Sequence, residues 1–370
     1  MALQTQVDDF NAWFARESVS IAKIAPLRVT ATLVPMLRIG VVTLPSEDVR
    51  AEEVYLGVPP STLMDRSSAM RSAPLAPVYA ALAKKFRRGD AFHELLIHLV
   101  YERFVLVEKS FWWPYLSLIP HGEEMMQPVW YSDDALKRLE GSTLRALVVA
   151  QKKKVAASYK AVKKAVFDAF PFFAEHAAAY TFANYKWAHA ILDSRSIWWS
   201  GERHLCPMLD FVNCAQGPLA SGGSGRRIAA RVHSTDLDDT TGSVAVTKAP
   251  WAFPPGAQIF ENYGQPNWIY FLHHGFSLDD NDSDCVRVPL VANGEEEIAC
   301  LTPGAIAPHV YETVGKEGVL FAIEAQLRAY TRAYESEEPP SAATRFVRSE
   351  KKLLRALVRE LGGGEARDEL

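Results

Sequence analysis

Short apolar segments near the start of the chain predict a small β structure. Three of them, RVTATLV, LRIGVVTL and EEVYLGVPP, lie within residues 28–60. Pro35, the polar segment SEDVRAE and the Pro59-Pro60 pair separate or end them, and such residues are typical of turns. Two further strands are predicted at SVAVTK and AQIFENY, residues 243–248 and 257–263. The predicted strands therefore lie on both sides of a long intervening stretch.

That intervening stretch has the spacing of helices. Between about residues 77 and 192, apolar side chains recur every three or four positions, which predicts an all-helical block. The same spacing returns from about residue 301 towards the C-terminus, with a break at SEEPPS. The Gly-, Ser- and Asp-rich segment 221–242 predicts a surface loop, and we expect early proteolysis within 216–243.

Length and composition are those of a globular protein. The 370 residues suffice for two domains or for one large domain with an insertion. The formal net charge of -4 gives no indication of nucleic-acid binding. No apolar run approaches the roughly 20 residues that a membrane-spanning helix needs. We therefore expect a monomer whose partners include neither nucleic acid nor a membrane.

The cysteines and the termini bear on the compartment. No CxxC pair is present among the four cysteines, Cys206, Cys214, Cys285 and Cys300. This scatter argues against a zinc cluster and against a disulfide framework, so we expect a reducing compartment. The N-terminal residues show neither a secretory signal nor a transit peptide. We expect the cytoplasm or nucleus, or a plastid if a transit peptide has been removed. The final Arg367 to Leu370 is close to an ER-retrieval signal, which we interpret as a coincidence.

Several motifs occur in an order that is found in one enzyme family. The strand pair at LRIGVVTLPSEDVRAEEVYLGVP is followed by WAHAILDSRS, CPMLDFVNC, PPGAQIFENYG and NWIYFLHHGF. In this order they resemble the SET-domain protein methyltransferases. The resemblance is closest to the branch of the Rubisco large-subunit lysine methyltransferase and the actin-histidine methyltransferase, in which a helical insertion splits the SET domain.

This resemblance implies a fold and an activity. The fold is α+β, with a SET-type β module that contains a pseudoknot and an all-helical C-terminal lobe. The implied segments are the N-terminal part of the SET domain at 1–76, the helical insertion at 77–192, the C-terminal part with the pseudoknot at 193–298, and a domain similar to the branch's substrate-binding domain at 299–370. The implied activity is S-adenosylmethionine-dependent methylation of a lysine, or as second choice a histidine, in a non-histone protein.

The most specific motifs are DFVNC and ENYG, which SET proteins thread through each other beside the methyl donor. Tyr263 is the implied catalytic residue, because its hydroxyl would orient the methyl group and the amine. The implied cofactor-binding residues are Arg38, Ile39, Gly40, Asn213, Cys214 and Tyr263. The implied substrate-binding residues are Ser194, Arg195, Trp268, His274 and Phe276.

Three positions depart from the family pattern. Cys214 replaces a histidine, His274 replaces the tyrosine of a Tyr-Gly-Phe motif, and Arg38 replaces the first glycine of a Gly-x-Gly loop. These changes support an alternative, a catalytically silent SET-like scaffold that binds proteins. The retained Asn213 and Tyr263 favour an active enzyme.

Other conspicuous residues have simple explanations. Aromatic residues are most often part of a core, which would account for Trp268, Tyr270 and Phe271. No metal site is predicted, because His273 and His274 lack partners at ligand spacing and DLDDTTG lacks the closing glutamate of a calcium loop. The lysines of residues 151–164 form a basic helical face. Solvation is its ordinary role, and docking of an acidic protein surface is the alternative.

Overall fold

The structure is a computed structural model, and it describes residues 3–35, 37–85, 91–219, 235–292 and 294–362. Contacts group the chain into two compact units. The first unit comprises Met1–Gly122 and Val155–Gly264, and the second comprises Glu123–Lys154 and Gln265–Leu370. Part of the predicted insertion is thus grouped with the C-terminal region. The four-segment division derived from the sequence stays a prediction.

The strands confirm the β structure predicted from the apolar segments. The predictions within 28–60, at 243–248 and at 257–263 correspond to β1 to β3, β8 and β9. The described residues form the strands β1 (Val29–Val34), β2 (Arg38–Thr43), β3 (Val54–Val58), β4 (Ser196–Trp199), β5 (Glu202–Leu205), β6 (Asn213–Cys214), β7 (Thr235–Leu237), β8 (Ala245–Lys248), β9 (Gln258–Glu261), β10 (Val286–Ala292) and β11 (Glu295–Leu301).

The helices confirm the helical block and the helical C-terminal region. They are α1 (Leu3–Ser18), α2 (Arg66–Met70), α3 (Ala76–Lys85), α4 (Phe92–Val100), α5 (Trp113–Leu116), α6 (Leu144–Val162), α7 (Pro171–Glu175), α8 (Phe182–Arg195), α9 (Asn267–Ile269), α10 (Pro308–Val314), α11 (Lys316–Ala329) and α12 (Ala342–Glu360). Short π-helical segments follow α4, α6 and α9 at Tyr101–Leu106, Lys163–Phe167 and Tyr270–His274.

In the first unit, a four-stranded sheet of order β1-β2-β9-β6 brings the two most specific motifs together. Strand β9 pairs with β2 in antiparallel orientation and with β6 in parallel orientation. The parallel pairing sets Asn213 opposite Phe260 and Cys214 opposite Glu261. The DFVNC and ENYG segments therefore lie side by side. A second sheet has the order β3-β8-β7, and β4 pairs with β5.

Helix α1 supports the segment that leads into β6. Its apolar positions Phe10 and Phe14 are four residues apart, so they lie on one face, and both are fully buried. The Phe10 ring packs edge-on against Phe211, with ring centroids 5.2 Å apart. On another side Phe211 contacts Tyr115 at 5.7 Å. The residue two positions before Asn213 is thus fixed by aromatic packing.

The second unit contains the β10–β11 hairpin and the C-terminal helices. Val286, Val288 and Leu290 alternate along β10 and enter one apolar core with residues of α11 and α12. Cys285 and Cys300 form a disulfide, with Cα atoms 5.4 Å apart. The prediction that the cysteines form no disulfide is wrong for this pair. The hairpin brings them together although they are 15 residues apart, which spacing alone does not reveal.

Some predictions fall outside the described residues. They concern most of the loop at 221–242, of which 220–234 is not described, and the C-terminal Arg367 to Leu370. Among the residues described, no helix combines the length and apolar character needed to cross a membrane. Within the same ranges, no group of three or more His, Cys, Asp or Glu side chains is arranged to hold a metal ion.

Glu350 on α12 makes the stability of the second unit dependent on pH. Burial raises the pKa of this carboxyl from 4.5 to about 7, and the Tyr330 hydroxyl donates to it at 3.1 Å. Between these pH values the folded chain holds a proton that the unfolded chain has released. The free energy of unfolding should therefore fall by about 3 kcal/mol as the pH rises from about 4.5 to 7, and change little above.

Glu350→Gln tests this expectation, since the amide stays neutral at every pH. Urea unfolding at pH 5 and pH 8 should give a smaller difference for the Gln variant than for the parent chain. The variant should also be the more stable of the two at pH 8. An equal pH dependence in both chains would show that Glu350 is not the group responsible.

Candidate active site

Asn213 links two of the predicted cofactor-binding segments. Its Nδ2 atom donates to the Ile39 carbonyl at 3.0 Å. Gly40 lies against the same side chain, because a Cβ atom at this position would be 3.1 Å from Asn213 Nδ2 and 2.7 Å from Gln258 Nε2. Only glycine leaves both amides where they are. The structure thus brings Ile39, Gly40 and Asn213 together.

Gln258 also belongs to this cluster, although none of the sequence motifs indicates it. Its Nε2 atom is buried and has no hydrogen-bond partner among the described residues. An unpaired buried donor costs about 1–3 kcal/mol, so a ligand acceptor such as a carboxylate would stabilise the site. The only signal in the sequence was one amide in the otherwise apolar start of the AQIF segment.

Arg38 has a backbone conformation that explains the glycine expected at this position. Its φ angle is 67°, in the left-handed region that side chains with a Cβ rarely adopt. It stands at the start of β2 opposite Val34. The departure from Gly-x-Gly therefore retains the backbone shape and adds strain.

Arg38→Gly is expected to raise the free energy of unfolding by about 0.5–1 kcal/mol. Glycine relieves the strain of the left-handed backbone, and the greater conformational freedom of the unfolded chain offsets part of that gain. Arg38→Ala is the matched control, because it removes the guanidinium and keeps the strained Cβ. Urea denaturation of the three chains measures both changes. A glycine variant no more stable than the alanine variant would contradict the strain.

Tyr263 lies directly after β9, and its hydroxyl donates to the Val212 carbonyl at 2.6 Å. Burial raises the pKa of this hydroxyl well above its usual value, and electrostatic interactions with the neighbouring Cys214 and Glu261 raise it further. The group is therefore neutral at physiological pH. It can orient a ligand through its dipole and its oxygen lone pairs, but it is not a base.

A second tyrosine and a carboxylate lie near Tyr263. The Tyr55 hydroxyl donates to Glu261 Oε1 at 2.6 Å, and the whole Tyr55 side chain is buried. Burial raises the pKa of Tyr55 well above its usual value, with Glu261 as the next cause. Cys214 is a half-buried cysteine in β6 that does not belong to the disulfide. Its small side chain occupies the position at which the family pattern has histidine.

Arg195 holds the segment that precedes Asn213. Its Nη1 atom donates to the Asp210 carbonyl at 2.9 Å and lies 3.3 Å from the Asp210 carboxylate. That carboxylate is buried and also accepts from the Tyr115 hydroxyl at 2.5 Å. Burial raises the pKa of Asp210, which Arg195 and Tyr115 oppose. Ser194 donates to the Ala190 carbonyl of its own helix at 2.8 Å.

The other predicted substrate residues belong to the second unit. Phe276 stacks on Tyr270 with centroids 5.2 Å apart, and His274 lies 5.8 Å from the same Phe276 ring. Between them, Gly275 has a φ of 84°, and a Cβ there would lie 2.6 Å from the Met126 backbone. Trp268 packs at the edge of an apolar core, with the Arg287 guanidinium 4.6 Å from its ring.

Known proteins resemble this chain in sequence. No protein-family model matches the chain. In sequence the chain is similar to the actin-histidine N-methyltransferases of Homo sapiens and Rhinolophus ferrumequinum, at 27% identity over 305 residues. The match covers 78% of this chain and 47% of each relative. The chain therefore spans about half the length of the curated relatives it matches.

Two solved structures are similar over nearly the whole chain. The SET domain of LSMT bound to lysine and AdoHcy has a TM-score of 0.72 at 16% identity, and the match covers 99% of this chain and 92% of that chain. Rubisco LSMT bound to AdoMet has a TM-score of 0.70 at 16% identity, covering 97% and 92%. The chain has the SET fold of Rubisco LSMT, and its resemblance to this branch of SET-domain proteins is confirmed.

Proposed function

We propose that the chain is an S-adenosylmethionine-dependent protein methyltransferase that acts on a non-histone protein. The observation that carries the proposal is the neutral Tyr263 hydroxyl, bonded to the Val212 carbonyl immediately before Asn213. The sequence relatives are named for histidine methylation of actin. The solved neighbours hold AdoMet or AdoHcy. Both findings support this function.

The residues around Asn213 fit such a cofactor. Gly40 lies directly against the Gln258 and Asn213 amides, where a Cβ would be only 2.7 and 3.1 Å away, and Gln258 offers a buried amide donor without a partner among the described residues. We assign cofactor binding to these two residues, to Asn213 and Cys214, and to the backbone of 38–40. When bound, S-adenosylmethionine supplies an electrophilic methyl group.

The side chains would then act by positioning. Methyl transfer to nitrogen needs alignment of the reacting atoms and exclusion of water more than it needs acid or base. Because Tyr263 stays neutral and its proton is committed to Val212, its oxygen is left to accept weak CH···O contacts from the methyl group. Asn213 bonds Ile39 of the 38–40 segment, and Tyr263 bonds the preceding residue, Val212, so both contacts converge on the start of β6.

The acceptor nitrogen belongs to lysine or histidine in this proposal. The sequence relatives favour histidine and the solved neighbours favour lysine. The replacement of a family tyrosine by His274 adds to the case for histidine. The two acceptors differ in their need for deprotonation, since free lysine has a pKa near 10.4 and free histidine one near 6.5. Trp268, His274 and Phe276 stay proposed as substrate-binding residues.

Calorimetric titration with S-adenosylmethionine separates the enzyme from a silent scaffold. We expect saturable binding to the parent chain. Gly40→Val should weaken it strongly, because the new side chain would push into Gln258 and Asn213. Ala333→Val is the control, because Ala333 is exposed and lies outside this cluster. No heat from the folded parent chain would support the scaffold instead.

The acceptor residue is identified by acid hydrolysis of a protein labelled in the methyl group. Methylhistidine or methyllysine in the hydrolysate decides between the two proposals. A histidine enzyme should also keep its rate nearly constant from about pH 7 to 9, whereas a lysine enzyme should gain rate with pH.

A further inference from the structure

The second unit contains an open groove of about 1020 Å³ between the first part of α6, helix α11 and strand β10. All of its lining residues belong to this unit. None of the residues assigned to methyl transfer lines it. It is therefore a separate feature that the proposed function does not use.

Two helices present small side chains to this groove. Helix α11 contributes Gly318, Ala322, Ala325 and Ala329, spaced by four, three and four residues, which is the spacing of one helix face. Helix α6 contributes Ala146 and Ala150, both exposed. At the rim, Phe321 is 70% exposed and Val291 is 63% exposed. Exposed apolar residues that line one groove indicate an interaction surface.

A buried polar group at the same place points to a ligand independently. Gln326 lines the groove and is 6% exposed. Its Nε2 atom donates to the Arg287 carbonyl at 3.1 Å, but its Oε1 atom has no partner among the described residues. A buried acceptor without a donor is destabilising. A partner that brings a hydroxyl or amide donor to this side chain would remove that cost.

The charges at the groove select the partner. Arg145 and Lys153 line it from α6 and are exposed, and neither forms an ion pair with any described residue. They are eight residues apart, or about 12 Å along a helix. Glu296 is the one acidic residue in the lining. The α6 side of the groove is thus cationic, and an acidic edge on the partner would complement it.

We propose that this groove binds an acidic amphipathic helix of a protein partner. A helix fits because the small residues of α6 and α11 allow a third helix to pack closely. The distance between the helix axes would then be roughly 8–10 Å, as is usual for packed helices. Its apolar face would cover Ala325, Ala329 and Phe321, and acidic residues about two turns apart would face Arg145 and Lys153. This inference stands whether or not the chain transfers methyl groups.

The test uses a fluorescent synthetic helix and the full chain. The peptide has leucines on one face, one serine at the centre of that face, and glutamates along one edge. Anisotropy should show binding at least about tenfold tighter than that of a scrambled peptide of the same composition. Ala325→Glu should weaken binding at least about tenfold, since it places a charge on the apolar floor. Ala333→Glu, at an exposed position outside the lining, should not.

Charge reversal on α6 supplies the sharper control. Lys153→Glu should weaken binding of the glutamate peptide and strengthen binding of a peptide whose glutamates are replaced by lysine. Lys154→Glu, on the same helix but outside the lining, should leave the preference unchanged. Equal effects of the two charge reversals would show that the peptide responds only to the net charge of the chain, which would overturn the proposal. So would binding that survives Ala325→Glu, or no preference for the intact peptide over the scrambled one.

Discussion

Tyr263→Phe is expected to lower the rate of methyl transfer by at least about tenfold, equivalent to about 1.4 kcal/mol of transition-state stabilisation. The variant retains the ring and loses the oxygen. The oxygen is expected to stabilise the transition state of methyl transfer more than it stabilises the bound cofactor. The affinity for S-adenosylmethionine should therefore change little. Single-turnover kinetics with an identified substrate protein measure the rate, and calorimetry measures the affinity.

Stability provides the control for this variant. Losing the bond from Tyr263 to the Val212 carbonyl should cost about 1 kcal/mol, which leaves the chain folded. Both rates must be measured on chains with similar melting temperatures. A Phe variant that transfers methyl groups at the parent rate would show that Tyr263 lines the site but that its hydroxyl has no catalytic role.

Arg195→Ala is expected to have the largest effect on stability. It removes both contacts to Asp210 and leaves a buried carboxylate with Tyr115 as its remaining bonded side chain. Breaking a buried pair in this way typically lowers the free energy of unfolding by about 3–5 kcal/mol. Donor binding should weaken as well, because the Asp210 segment leads directly to Asn213. Urea denaturation and calorimetry check the two effects.

Arg195→Lys is the matched variant, since it keeps the charge and loses part of the hydrogen bonding. It should lie between the parent chain and Arg195→Ala in stability. The role in substrate binding implied by the sequence motif predicts something different, namely a higher KM with unchanged stability. An alanine variant as stable as the parent chain would therefore support the substrate-binding role of Arg195 instead.

The sequence predicted those parts of the fold that depend on local pattern. Strands β1 to β3 were visible because apolar runs are bounded by proline and polar turns, and α11 and α12 because of their spacing. The β10–β11 hairpin was missed, although Asn293-Gly294 between apolar segments is a strong hairpin signal. Missing the hairpin also concealed the disulfide, since only the hairpin brings Cys285 and Cys300 together.

The site was predictable where a motif carries it and not where distant residues build it. Asn213 and Tyr263 were found through DFVNC and ENYG. Gln258 was not found, because its importance comes from the pairing of β9 with β2 and from the close approach of its amide to Gly40. Arg195 was assigned to the substrate because WAHAILDSRS resembles a helix that borders the substrate in this branch. No pattern in the sequence relates Arg195 to Asp210, 15 residues later.

Transfer of a labelled methyl group tests the central claim most directly. The purified chain is incubated with S-adenosylmethionine labelled in its methyl group and a protein extract, beside the Tyr263→Phe variant at equal concentration. We predict a labelled protein band with the parent chain and at least about tenfold less label at early times with the variant. A parent chain that binds the donor but labels no protein, or equal labelling by both chains, would contradict the account.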